Sequence, residues 1–183
     1  DAPPATFATF PEGLPELARR LALVSGAEIR LSTPVATIRR FDSIWELRAP
    51  SGELLAEVDA VILAVPGAVG ASLLPAGLEG ERETLRAVPA ASVATVIAAY
   101  PAERVASLPA FDATGVLIPS RAGLTLKAAT FLGRKWPHLA DPDVFLVRLA
   151  VGRAGESTAE LDDEELVARL HHDLAHITGL TTP

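Results

Sequence analysis

The 183-residue chain has no cysteine, no methionine, one tyrosine and only 5% aromatic residues. Without cysteine, disulfides, thiol nucleophiles and thiolate metal sites are excluded, and the composition fits a cytoplasmic protein. Clusters of basic residues are also missing. Sixteen Lys and Arg stand against twenty-three Asp and Glu, for a net charge of −7. That balance argues against a nucleic-acid partner, whose phosphates demand grouped cations. The nearest approach to a dinucleotide-binding G-x-G-x-x-G is Val65-Pro66-Gly67-Ala68-Val69-Gly70, where Val65 occupies the first glycine position. Glycines that ease the exit from a buried strand explain it better. No G-x-S-x-G elbow surrounds Ser92 or Ser157. The chain opens Asp1-Ala2-Pro3 with no cationic, apolar-cored leader, so residues are expected to have been removed upstream.

What is present is a core-forming composition, 49% hydrophobic and 21% charged. Residues 60–78 carry no charge and approach membrane-spanning length. Pro66, Gly67, Gly70, Pro75 and Gly77 interrupt them, so strand, turn and short helix are expected and no transmembrane segment.

Periodicity predicts a helix over 11–25 with Leu14, Leu17, Ala18 and Leu21 on one face, ended by Gly26. Strands follow at 28–31, 35–41, 44–49 and 54–58, with a turn at Pro50-Ser51-Gly52. The apolar run Ala60–Val65 has the length and composition of a strand covered on both faces. Helical stretches are predicted to about Leu74 and over 79–87. Beyond residue 89 the pattern changes to strands at 92–100, 115–119, 124–131 and 144–152, with a hairpin connection at 120–123 and a closing helix over 162–178. Asp162 and Glu165 stand at capping-box spacing for that helix. Two domains are expected: a βα-type part over 1–88 and a mainly antiparallel sheet with its helix over 89–183.

The polar candidates carry little chemistry. His172 and His176 are one helical turn apart, but the apolar stripe Leu166, Leu170, Leu174 and Ile177 puts them on the water side with no third ligand. No metal site is expected. Asp162-Asp163-Glu164-Glu165 suits a helix N-terminus, where the dipole favours negative charge. Arg134-Lys135-Trp136-Pro137-His138 could receive a carboxylated aromatic ligand or form a surface loop anchored by its indole, and both readings stand.

In order along the chain, several segments resemble the flavin-dependent protoporphyrinogen and coproporphyrinogen oxidases of the flavin amine-oxidase superfamily. Phe10-Pro11-Glu12-Gly13-Leu14-Pro15-Glu16-Leu17 is similar to the superfamily's aromatic-x-G-G-x-x-x-L approach to a helix, with Glu12 at the first glycine. Glu28–Val35 resembles the stretch that ends at the flavin's adenine, and Val58–Pro66 the D-x-V-I-x-A-x-P strand. More specific to porphyrinogen oxidases are Ser92–Val96, Gly115–Pro119, Lys135-Trp136-Pro137 and Val151-Gly152-Arg153. Ala129–Gly133 stands where the family usually has Cys-Thr-Trp-Ser-Ser.

The resemblance implies a slice of an FAD-binding, Rossmann-like domain followed by the antiparallel sheet of a substrate domain, an α/β part and an α+β part. It implies a parent enzyme that binds FAD and oxidises a porphyrinogen with oxygen as final acceptor. The Gly-rich phosphate loop and the second flavin-contacting segment of family members, which run well over twice this length, have no counterpart here. The chain alone is therefore expected to be inactive and not to retain FAD. By the same resemblance, the Val35 backbone would meet the adenine, and Leu117, with Thr114, Gly115 and Ala150, would line the porphyrinogen cavity. Core packing is the rival reading of Leu117. No catalytic acid–base residue is assigned, since the cofactor carries the chemistry. Two alternatives remain: another flavin oxidase (a carotenoid desaturase or an amine oxidase), and a non-enzymatic ligand-binding or assembly module on a borrowed fold.

Overall fold

The structure, a computed structural model, describes residues 7–157 and 161–181. The chain divides into two compact units, Asp1–Pro89 and Ala90–Pro183.

In the first unit, helix α1 (Pro15–Ser25) begins four residues later than periodicity predicts. Residues 11–13 form a turn in which the Gly13 N–H donates to the Phe10 carbonyl at 2.9 Å. Pro15, which has no N–H to satisfy, suits the first helical turn. Strands β1 (Thr37–Phe41), β2 (Ile44–Arg48) and β3 (Leu54–Val58) form an antiparallel meander in that order. A two-residue loop, Asp42-Ser43, joins the first pair, whose register runs from Phe41↔Ile44 to Thr37↔Arg48. Helices α2 (Gly67–Leu73) and α3 (Glu79–Ala87) pack on each other. A Cβ at Gly67 would stand 3.0 Å from the Leu85 carbonyl oxygen, so that glycine serves helix packing.

Two expected strands are not formed. Residues 28–31 and 60–65 have no ladder partner, and Ile62 is 93% exposed. An uninterrupted apolar run is the mark of a strand flanked by other strands and covered on both faces. β1, β2 and β3 pair only with one another, so Ala60–Val65 finds no strand neighbour among the described residues, and only Val61 and Leu63 are half-buried, beside Ile38, Trp45 and Leu73. Leu14, Leu17 and Leu21 of the α1 face are likewise exposed.

The second unit has its own core. Strands β4 (Ala94–Pro101), β5 (Gly115–Leu117), β6 (Ala128–Phe131) and β7 (Val144–Val151) form one antiparallel sheet in the order β4-β7-β6-β5. Short helices α4 (Ala102–Val105) and α5 (Leu132–Lys135) follow β4 and β6. The predicted strand over 124–131 shortens to β6, because residues 118–127 are taken up by the connection from β5, including a 3-10 turn at Ser120–Ala122. Helix α6 (Asp163–Thr178) closes the unit, and the Asp162 carboxylate caps it by accepting from the Glu165 N–H at 3.0 Å. Leu166, Leu170 and Leu174 are buried in one cluster with Phe111, Leu126, Phe131, Val147 and Leu149.

Asp173 lies on the same buried side of α6. Its carboxylate accepts from the Leu126 N–H at 2.9 Å, satisfying a backbone donor just before β6. Removing the acceptor strands that donor, at a cost of about 1–3 kcal/mol. Asp173→Ala should therefore lower the urea midpoint of the chain, while Asp173→Asn, which keeps an acceptor oxygen, should recover most of the loss. Equal losses in both would show that the hydrogen bond contributes nothing.

Candidate functional site

Side chains alternate between the faces of a strand, and directly paired residues of antiparallel neighbours share a face. In β7, Val147, Leu149 and Val151 are buried against α6, so Leu146, Arg148 and Ala150 point the other way. The register carries that second face across the sheet. One row reads Thr95, Ala150, Ala128, Leu117, and the next reads Ile97, Arg148, Thr130, Gly115. Ile97 and Leu117 are exposed, and the small residues between them are half-buried. With neighbouring strands ~4.8 Å apart, this floor is roughly 14 Å wide.

Three of the residues named from the sequence, Leu117, Gly115 and Ala150, thus meet on one open face. Thr114 is exposed just before β5, and its carbonyl accepts from the Phe131 N–H at 3.0 Å. Leu117 is 87% exposed, so it is not a core residue of this unit. Gly115 has a packing reason of its own. A Cβ there would come within 2.4 Å of the Ala129 carbonyl oxygen, a backbone atom that cannot swing aside. That close approach lets β5 lie flat beside β6.

The far end of the face is tied by cations. Arg153, just beyond β7, donates to the carbonyls of Leu124 at 3.2 Å, Ile118 at 3.1 Å and Leu126 at 3.4 Å. Its Nη1 also lies 3.6 Å from a Glu156 oxygen, an ion pair too long for a hydrogen bond. Lys127 Nζ donates to the Gly152 carbonyl at 2.6 Å. These bonds fix the β5–β6 connection to the end of β7, and with it the position of Leu117.

Other candidates lie apart from this face. Val35 is half-buried in the first unit, in the extended segment before β1, and its N–H has no partner among the described residues. In the 134–138 stretch, Arg134 is engaged with the Phe111 carbonyl at 3.2 Å and Asp112 at 3.4 Å, while Lys135 Nζ lies 5.5 Å from the Trp136 ring centre. The cations of that loop are thus turned toward the protein's own groups. His172 and His176 are exposed on α6. His171 is instead half-buried beside Tyr100, whose hydroxyl lies 3.0 Å from His171 Nδ1. Burial raises the Tyr100 phenol above its ordinary pKa, so the tyrosine stays a neutral partner.

Residues 5–182 match the sequence family described as flavin containing amine oxidoreductase. The chain belongs to that family. Among its relatives, the chain is 28% identical over 182 residues to coproporphyrinogen III oxidase of Bacillus subtilis (strain 168), covering 95% of this chain and 36% of the relative. It is 33% identical over 147 residues to coproporphyrinogen III oxidase of Mycobacterium tuberculosis (strain ATCC 25618 / H37Rv), covering 79% and 31% respectively. The chain thus spans about a third of the length of these relatives. A protein of Exiguobacterium sp. 255-15, provisionally assigned as a protoporphyrinogen oxidase, superposes with a TM-score of 0.81 at 30% identity, over all of this chain and 39% of that one. Putrescine oxidase superposes at a TM-score of 0.61 and 20% identity, over 90% of this chain and 35% of its own, and shares the fold. The mixed helix-and-sheet architecture, with its antiparallel sheets, is that of the chain's structural neighbours. Among the described residues no helix is long and apolar enough to cross a membrane.

Proposed function

We propose that this chain is part of an FAD-dependent porphyrinogen oxidase of haem biosynthesis, converting coproporphyrinogen III or protoporphyrinogen IX to the porphyrin. The observation that carries the reading is the open face of the β4-β7-β6-β5 sheet. It is a wide floor of small residues between Leu117 and Ile97, suited to a large, flat, mostly apolar ring. The relatives named coproporphyrinogen III oxidase favour the same substrate class. FAD, when bound, supplies the hydride acceptor. The work left to this chain is to seat the macrocycle, exclude water from its underside and offer the Val35 N–H to the adenine. Thr114, Gly115, Leu117 and Ala150 belong to the seat.

The full-length parent protein, loaded with FAD, should form fluorescent porphyrin from coproporphyrinogen III or protoporphyrinogen IX under oxygen. Amine oxidation without porphyrin formation would sink the reading in favour of an amine oxidase. Leu117→Ala should raise KM or weaken inhibitor binding several-fold while Tm stays nearly unchanged, because an exposed side chain forfeits little burial. A stability loss of about 2–5 kcal/mol with normal binding, the signature of a truncated core leucine, would remove Leu117 from the seat.

A further inference from the structure

The open face carries one charge. Arg148 sits in the middle of β7, with Ile97 beside it on β4 and Thr130 beside it on β6, and Leu146 and Ala150 two residues away on its own strand. It is exposed and has no hydrogen bond or ion pair with any described residue. That sets it apart from Arg134 and Arg153, both held by backbone carbonyls in the same unit. A guanidinium is a poor residue for a surface otherwise built of alanine, threonine, isoleucine and leucine, unless something of opposite charge comes to it. Its five donors lie in a planar fork that matches a carboxylate with two parallel hydrogen bonds. Thr130, the direct cross-strand neighbour, places a hydroxyl on the same face.

We infer that Arg148 is the anchor for a carboxylate of the ligand that lies on this face, a propionate side chain of the porphyrinogen. The inference rests on the reading of the face given above. It adds how a flat ring that could otherwise slide is fixed in orientation: the ring packs over Ala128, Ala150 and Gly115 while one acidic substituent turns down to the guanidinium. Charge complementarity supports this occupant, because a tetrapyrrole with propionates supplies the missing anion and an uncharged polyene does not.

The test measures binding of coproporphyrin III and of its tetramethyl ester to the full-length, FAD-loaded parent protein in detergent, followed by porphyrin fluorescence. Wild type should favour the acid by about tenfold or more, the size expected of a charge-assisted pair. Arg148→Gln should bind both forms equally, at the wild-type affinity for the ester, and Arg148→Lys should restore part of the acid preference. If Arg148→Gln keeps the full preference for the acid, the anchor lies elsewhere and the inference is overturned, while the reading of the face survives. If the wild type binds neither form, reading and anchor fall together. A variant that loses FAD and melts early would show Arg148 paired with a carboxylate of its own chain, which also overturns the inference.

Discussion

Gly152→Ala should unfold much of the second unit. Gly152 follows β7 in a left-handed conformation, with φ of +95°, where the chain just ahead of β4 passes directly over it. A Cβ there would stand 2.1 Å from the Ser92 carbonyl oxygen, 3.0 Å from the Val93 Cα and 3.1 Å from the Ser92 carbonyl carbon. Backbone strain of this kind costs about 1–3 kcal/mol. The clash adds a similar amount because the atoms in the way are main chain. Together they reach roughly 3 kcal/mol or more, a large part of the 5–15 kcal/mol available to a domain. Trp45 and Trp136 are the two tryptophans, one in each unit, so a Trp45→Phe background leaves Trp136 to report on the second unit alone. Urea unfolding in that background should show the midpoint collapse for Gly152→Ala. Gly123→Ala, with positive φ but no atom within 4 Å of the added carbon, should show only the smaller strain. Equal midpoints for the two glycine variants would mean that the chain ahead of β4 does not cross over Gly152 at this distance.

Phe131→Ala should be as damaging by a different route. Phe131 is fully buried at the end of β6, with the Phe111 ring centre 4.8 Å away and the Phe145 ring centre 5.8 Å away. Phe111 and Phe145 meet edge-on at 5.3 Å, so the three rings form one closed cluster. Deleting the central ring should cost about 3–5 kcal/mol, the sum of lost burial and an unfilled cavity. Phe131→Leu should retain much of that. Trp136 fluorescence in urea would show the ranking wild type, Leu, Ala; an alanine variant within about 1 kcal/mol of wild type would mean that the cluster collapses to fill the space.

The sequence was most readable where its signals are local and their partners lie nearby. The alternation in Ile44–Arg48 has both neighbours, β1 and β3, within a few residues, and the strand formed as expected. The stripe at Leu166, Leu170 and Leu174 found its sheet in the same unit. Ala60–Val65 was misread for the opposite reason: an apolar run states that a strand wants cover, but not whether the chain at hand supplies it. Two residues were passed over although their signals were present. Asp173 follows Leu170 by three and precedes Ile177 by four, which puts it on the inner side of α6. Arg148 shares the strand parity of Ala150, which the resemblance already assigned to the ligand. For Asp173 the charge alone suggests water, whereas the period puts it inside.

The period-two arrangement of β7 also bears on how this scaffold diverges. Its buried residues and its open-face residues interleave, Val147, Leu149 and Val151 against Leu146, Arg148 and Ala150. Point substitutions can therefore rewrite one face while leaving the other intact, so descendants of one ancestral sheet can drift among flat, acidic and basic ligands without rebuilding the core. Single-residue insertions have no such freedom. One inserted residue ahead of Arg148 would turn the guanidinium into the hydrophobic interior and put Val147 or Leu149 on the surface. Across descendants of this strand, spelling should vary freely at alternate letters while the letter count stays fixed.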